Sequence, residues 1–263
     1  MPEATLSKIV EELNLPSRAV LLVSSDIVGL AFDAASRGEA FSCDGFIDIL
    51  QTKLGPEGTL LFPTFNFDFC DGRPYDVRLS PSMTGALSRA ALARRDFRRT
   101  QHPIHSFAVW GRLSNEFVGL SNQSSFGADS PFALLRRESA RMIIIGLPYQ
   151  GAFTFVHHAE EMEKVPYRYM KNFTSSYTDM AGRNGNRTYS LYVRDIEKGV
   201  DSAVDPMGEI LETKKISVSQ VIRGVVFRTI RLKEAYDQIV QDIRQNGGRR
   251  LYRRRVPTDS KSN

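Results

Sequence analysis

The feature that most constrains this chain is an alternation of short apolar runs with amphipathic helical stretches, each run emptying into small polar residues. Residues 19–23 (AVLLV) are too short and too uniformly apolar for a surface helix and suit a buried strand. That run ends in Ser24, Ser25 and Asp26. Residues 45–54 read as an amphipathic helix stopped by Gly55-Pro56-Glu57-Gly58. Residues 59–62 (TLLF) then deliver Pro63, Thr64, Phe65 and Asn66. With a short amphipathic helix at the start, the opening of the chain spells helix, strand, helix, strand. Such an order calls for parallel strands joined by crossover helices. In open α/β sheets ligands gather at strand ends, which makes Ser24 and Ser25 candidate contacts.

The pattern continues less regularly. Residues 67–82 are rich in Asp, Gly, Pro and aromatics and read as a loop long enough to cover or form a site. Residues 85–95 are helical by composition, and residues 106–111 (SFAVWG) suit a strand. Ser130-Pro131 has the form of an N-cap followed by proline in the first turn. A strand is expected at 142–145 (MIII), a helix at 152–163, and a hairpin pairing 173–177 with 189–193 across 182–186. Residues 216–227 read as a strand or strand pair, and 232–246 as a closing helix. No repeat, heptad pattern or linker interrupts this order. The expectation is one α/β domain over residues 1–248, a central largely parallel or mixed sheet flanked by helices, followed by a basic tail at 249–263.

A chain of 263 residues is long enough to bury a full core. No stretch approaches the roughly 20 apolar residues of a membrane span. The first residues lack the basic start and apolar run of a signal peptide, so a cytoplasmic location is expected. Cys43 and Cys70 are then expected to be reduced, and neither has a CxxC partner. The net charge is +5. Much of the excess lies in the tail, at Arg249, Arg250, Arg253, Arg254 and Arg255. No other nucleic-acid motif accompanies these arginines, so a solvated or inter-subunit role outweighs a nucleic-acid arm, and a homodimer stays open. The excess favours anionic small molecules. The four histidines show no HxxxH or HxH spacing, and no metal site is expected. P-loop, GxGxxG and GxSxG motifs are absent.

Two segments carry candidate chemistry. On a helix over 152–163, Phe155, Ala159 and Met162 form one stripe, while Thr154, His157 and Glu161 share another face. His157 stands three residues before Glu160 and four before Glu161, so either carboxylate can orient the imidazole. A carboxylate-oriented histidine is a base suited to neutral pH. His158 lies between the polar face and the core stripe and suits a packed role, although spacing alone does not separate the two histidines. The second segment, residues 98–106 (RRTQHPIHS), sets a His-Pro pair among hydroxyls and paired arginines. That chemistry suits a phosphate or thioester arm, and equally a basic turn leading into a strand.

In order along the chain, LLVSS, GTLLFPTF, PSMTGALSR, RRTQHPIHSFAVWG, FGADSP, MIIIG and TFVHHAE resemble the aminoglycoside 3-N-acetyltransferase family. The resemblance implies the antibiotic N-acetyltransferase fold, acetyl-CoA as co-substrate, and direct acetyl transfer to an amine. Its Thr-x-x-His-x-x-Glu pattern falls on Thr154, His157 and Glu160, which selects His157 as base and Glu160 as its partner. Its coenzyme A segment falls on Thr100, His102, Pro103 and Ser106, and Ser24, Ser25, Arg99 and Thr154 are further candidate cofactor contacts. Ser24 stands where members commonly have histidine, and Phe155 where they often have a small polar residue. An acidic residue near the acceptor amine is implied, with Asp205 or Asp201 downstream as candidates, and the acidic 67–82 loop separately offers Asp68. The net positive charge favours a nucleotide-linked amino sugar, of the kind used in polysaccharide biosynthesis, over a polycationic aminoglycoside conferring antibiotic resistance. The other class, a non-catalytic CoA-binding or scaffold protein, is opposed by the intact His157 and Glu160.

Overall fold

The computed structural model describes residues 1–255. In chain order the elements are α1 (Glu3–Glu12), β1 (Val20–Ser25), α2 (Val28–Ala35), α3 (Cys43–Leu54), β2 (Thr59–Pro63), β3 (Tyr75–Asp76), α4 (Ala86–Ala93), β4 (Arg98–Arg99), β5 (Phe107–Gly111), α5 (Ser114–Gly119), α6 (Pro131–Arg137) and β6 (Arg141–Ile145). They continue with α7 (Tyr149–Ala152), α8 (Val156–Met162), β7 (Arg168–Thr178), β8 (Asn184–Arg194), β9 (Val200–Ser202), α9 (Asp205–Thr213), β10 (Ser217–Ile222), β11 (Val225–Arg231), α10 (Leu232–Asn246) and β12 (Tyr252–Arg254). A short 3-10 turn, Asp68–Asp71, precedes β3.

The main sheet has seven strands in the order β10-β11-β6-β1-β2-β5-β4. Its centre, β6-β1-β2, is parallel, as the apolar runs predict. Both flanks are antiparallel, so the sheet is mixed. Central strands are apolar on both faces because helices cover both. Leu22, Leu61, Met142 and Ile144 face a core shared with α5, α6, α8, α9 and α10. Leu21, Val23, Leu60, Phe62, Ile143 and Ile145 face a second core shared with α1, α3 and α4. Each such side chain stabilises the fold by roughly 1.5–3 kcal/mol on burial.

Local signals account for several boundaries. The Ser42 hydroxyl accepts from the Gly45 amide to start α3, and Gly55 ends it at φ +70°. Ser130 caps α6 from outside Pro131, as the sequence predicts.

Three expectations need correction. The helix expected over 152–163 starts later, as α8 at Val156, because a separate short helix, α7, ends at Ala152 and the chain breaks at Phe153, where ψ is 54°. Phe153 and Phe155 are both buried, and residues two apart on one helix face nearly opposite ways. The break lets both rings enter the core, and it places Thr154 ahead of α8 rather than on it. The expected hairpin is also much longer: β7 and β8 pair from Arg168 with Arg194 to Thr178 with Asn184. Finally, the basic tail is not separate throughout. Leu251 is fully buried, β12 pairs antiparallel with β9, and Arg255 forms a forked ion pair with Asp201 at 2.7 and 3.0 Å. Residues 256–263 lie outside the described residues.

Two glycines let loops close over the end of β1. Gly85, at φ +53°, would put a Cβ 2.8 Å from the Ser25 carbonyl oxygen. Gly146, at φ +68°, would put one 2.5 Å from that of Asp26. Replacing either by alanine is expected to lower unfolding stability by about 1–3 kcal/mol. Urea titration reads this directly, and an unchanged midpoint would contradict the backbone argument.

Candidate functional site

A cleft of about 570 Å³ opens where β1 and β2 end. Ser24, Ser25 and Asp26 form its floor at the end of β1, with Pro63 and Phe65 beside them. Thr84, Gly85 and Arg89 come from the start and first turns of α4, and Thr154 from the turn before α8. Phe67 and Met83, both exposed, make an apolar lip. No side chain caps α4, and its N-terminal residues Gly85 and Ala86 line the cleft with their partial positive charge unneutralised by a side chain. A cleft with an apolar lip, small polar floor, open helix N-terminus and one arginine suits a long ligand with an anionic end.

Beyond Thr154, α8 carries the base candidate. His157 Nδ1 lies 2.6 Å from Glu160 Oε2. The carboxylate is wholly buried, whereas the His157 side chain keeps 20 % of its surface exposed. The Arg168 Nε lies 2.7 Å from the same carboxylate oxygen. Burial pushes the Glu160 carboxyl up, but Arg168 and His157 outweigh it and hold it below its ordinary value, ionised. Burial, then Arg168, lowers the imidazole pKa, while Glu160 acts in the opposite direction and Arg194 adds to the lowering. The result is a neutral ring at neutral pH, with Nδ1 turned to a carboxylate and Nε2 on the other edge. Helical spacing left two partners open, and packing separates them: Glu161 accepts from the Ser124 hydroxyl at 2.7 Å instead. His158 is buried, its Nδ1 2.7 Å from the Phe126 carbonyl oxygen.

The His-Pro segment behaves differently from expectation. Arg99, Thr100, His102 and Ser106 are all buried, none more than 4 % exposed, and none lines the cleft. Arg99 donates to Ser106 Oγ at 3.0 Å and to the Thr64 carbonyl at 2.9 Å, and lies over the Tyr75 ring. It also reaches the Ser80 carbonyl, so it staples the 67–82 loop to β2. Thr100 Oγ1 accepts from the Phe107 amide. His102 Nδ1 accepts from the Ile104 and His105 amides, which leaves the proton on Nε2, facing the Gln123 carbonyl and Ser125 Oγ at 3.3 Å each. These four residues are therefore wall-builders behind the cleft, with their polar atoms already committed.

The acidic candidates are committed as well. Asp68 pairs with Arg73 at 2.9 Å, and Asp205 accepts from the Gln150 amide at 2.9 Å, bracing α7 against α9. Asp201 holds Arg255. Sequence reasoning missed Arg168 and Arg194, which the expected hairpin left outside its strands. A signal did exist: a carboxylate buried beside a histidine needs a cation, and Arg168 is the first arginine after it. It also missed Phe126, whose ring packs 5.3 Å from His157, and the buried His105, 3.0 Å from Ser125 Oγ.

Burial lowers the pKa of all four histidines, to about 3 for His102 and about 4 for His158. The unfolded chain therefore binds protons that the folded chain refuses. Stability is expected to be undiminished by these groups above about pH 6.5 and to fall as pH drops from there toward 4. Urea midpoints measured across that window test this, and a flat profile would contradict it.

Residues 34–244 match the family described as aminoglycoside 3-N-acetyltransferase. Aminoglycoside N(3)-acetyltransferase IV from Salmonella sp is 30 % identical over 129 residues, 47 % of each chain, so this chain spans about half the length of that curated relative. A solved structure described as AAC-IIIb binary with CoASH superposes with TM-score 0.76 at 16 % identity, covering 93 % of this chain and 97 % of its own. Another, a histidine-to-alanine mutant of AAC(3)-IVa in complex with apramycin, superposes with TM-score 0.73 at 22 % identity, covering 94 % and 93 %. No helix among the described residues is long and apolar enough to cross a membrane. With its mixed sheet, its cleft at the end of β1 and a family match over most of its length, the chain belongs to the aminoglycoside 3-N-acetyltransferase family.

Proposed function

We propose that the chain is an acetyl-CoA-dependent N-acetyltransferase acting on the amine of an amino sugar, with His157 as general base. The observation that carries this reading is the 2.6 Å approach of His157 Nδ1 to a wholly buried, ionised Glu160, three residues beyond Thr154 in the wall of a cleft fit for a long anionic ligand. A solved relative described with CoASH supports the donor. In this reading the phosphates meet the open N-terminus of α4 and Arg89, the pantetheine arm passes Ser24 and Ser25, and the thioester ends near Thr154.

The neutral amine attacks the thioester carbonyl, forming the C–N bond. As nitrogen becomes positive, His157 Nε2 takes its proton, and the carbon–sulfur bond breaks to release CoA thiolate. That thiolate regains a proton from the imidazolium. Glu160 fixes the ring through Nδ1 and stabilises its charged form. The Thr154 hydroxyl supports the developing oxyanion. Arg99, Thr100, His102 and Ser106 act one layer back, by holding the strand ends that shape the cleft.

His157→Ala is expected to lower kcat/KM by about 10²- to 10⁴-fold without unfolding the protein. Glu160→Gln is expected to lower kcat by at least about tenfold and to move the acid limb of the pH profile further down, because the charge that favoured imidazolium is gone. In the native enzyme that limb lies below about pH 6.5. Thiol-release kinetics read all three, and normal turnover in His157→Ala would remove the proposed base.

For the acceptor, we favour an amino sugar linked to a nucleotide. Arg168 and Arg194 both act on His157, and the chain carries a net charge of +5, so the field around the base favours an anionic carrier. The second reading, an aminoglycoside, is supported by the family description and by relatives described with apramycin and a gentamicin. Comparison of a dTDP- or UDP-linked amino sugar with apramycin separates them. The charge argument predicts at least about tenfold higher kcat/KM for the nucleotide sugar, shrinking with added salt. The reverse order would establish the antibiotic as acceptor.

A further inference from the structure

Two buried atoms beside the base are left without a committed partner. Glu160 receives His157 and Arg168 on one oxygen, Oε2, at 2.6 and 2.7 Å. Its other oxygen, Oε1, is buried and takes no aligned hydrogen bond, and the buried hydroxyl of Tyr167 makes none either. A charged acceptor and a donor are each costly to bury alone, and each can satisfy the other. Tyr167 stands in the turn between α8 and β7, immediately before Arg168, so one short stretch of chain reaches both oxygens of the carboxylate. The two groups lie close enough to act on each other. Burial raises the Glu160 pKa, and Tyr167 joins Arg168 and His157 in bringing it down. Burial, then the Glu160 charge, pushes the Tyr167 hydroxyl far up, so it stays a donor. Hydrogen bonds at a reacting centre are often poorly aligned before substrate arrives and tighten with it.

The Tyr167 ring is fixed from other directions. Tyr252 of β12 stacks on it, with ring centroids 3.9 Å apart and planes 22° from parallel. Gly248, at φ +71°, comes so near that a Cβ there would stand 2.5 Å from the Tyr167 hydroxyl oxygen. The Tyr167 carbonyl accepts from the Asp195 amide at 3.1 Å. Strand β12 is itself anchored by pairing with β9 and by the buried Leu251.

We propose that Tyr167 is a positioning residue for the His157–Glu160 pair, donating its hydroxyl to Glu160 Oε1 and clamped in place by Gly248 and Tyr252. This rests on His157 as general base. Tyr167 is not part of the cleft wall, so it acts only through Glu160. It stops the carboxylate turning about its last bond, which keeps Oε2 on Nδ1 and the ring in one orientation. The sign of its effect follows from charge. A hydroxyl hydrogen aimed at Glu160 partly neutralises the carboxylate that favours imidazolium, so removing it raises the His157 pKa, the reverse of Glu160→Gln. The other groups facing the pair are Arg168 on β7, Arg194 and Tyr192 on β8, His105, and Glu161, which is held by Ser124. The substitutions below leave all of them in place.

Tyr167→Phe keeps the ring and its stack and removes only the donor. In thiol-release kinetics, with apramycin or a UDP-linked amino sugar as acceptor, its kcat is expected to fall at least about threefold while both KM values stay within about twofold. The acid limb of the pH profile, and the titration of the His157 ring followed by NMR, are expected to move up by at least about 0.3 pH unit. Tyr252→Leu is expected to lower kcat and move the titration in the same direction, and Tyr252→Phe, which keeps the stacked ring, to retain native values. Tyr252 is half-buried on β12, so its variants stand even where Tyr167→Phe fails to fold. An unmoved ring titration in Tyr167→Phe, with His157→Ala inactive, would overturn the role of Tyr167 alone. Native kcat and titration in Tyr252→Leu would overturn the clamp. Native turnover in His157→Ala would overturn the base, and the positioning role with it.

Discussion

Everything chemical in this structure depends on one buried charge. Glu160 is ionised where a carboxylate alone would not be, because Arg168 faces it from β7 and His157 from its own helix. Losing Arg168 would leave an uncompensated charge in the interior, a loss that typically costs about 3–5 kcal/mol. The pair is therefore a structural commitment as well as a chemical one. It ties α8 to the β7–β8 hairpin, and Arg168 extends the tie by donating to the Tyr192 carbonyl and to Ser202. The proposed base is held between α8 and the next element along the chain, β7.

The rest of the architecture builds a cleft whose wall includes Thr154, three residues before the proposed base. Parallel strands end together, so β1 and β2 deliver Ser24, Ser25 and Pro63 to one edge of the sheet. The break at Phe153 turns the chain so that Thr154 reaches the cleft while His157 stays on the next turn. Behind the wall, Arg99, Ser106 and Thr64 fasten the 67–82 loop, whose Phe67 forms the lip. Rigid supports of this kind suit the proposed direct transfer, in which amine, thioester and base meet within hydrogen-bonding distance without a covalent intermediate.

Legibility followed the length scale of the interactions. The parallel centre of the sheet, the Ser130-Pro131 cap and α10 were readable because apolar periodicity and capping are local. His157 and Glu160 were readable as a pair through spacing, and their family pattern chose between the neighbouring histidines and glutamates. Arg168 was readable only as the first arginine after a buried carboxylate, because no periodicity links a helix to the strand that follows it. Helix α2 escaped because Val28 and Phe32 are exposed, so no amphipathic stripe announces it. Likewise the His-Pro segment offers the right groups for phosphate, and only burial reveals that each is already spoken for. The tail looked solvated by charge, yet Leu251 within it is core.

The central claim is a protonation state, and it can be observed without any substrate. Nitrogen chemical shifts of the His157 ring, measured in the intact protein near neutral pH, report which nitrogen carries the proton. The account predicts a neutral ring with the proton on Nδ1, held by Glu160, and a bare Nε2. A ring protonated on Nε2 alone, or an imidazolium persisting at neutral pH, would contradict it.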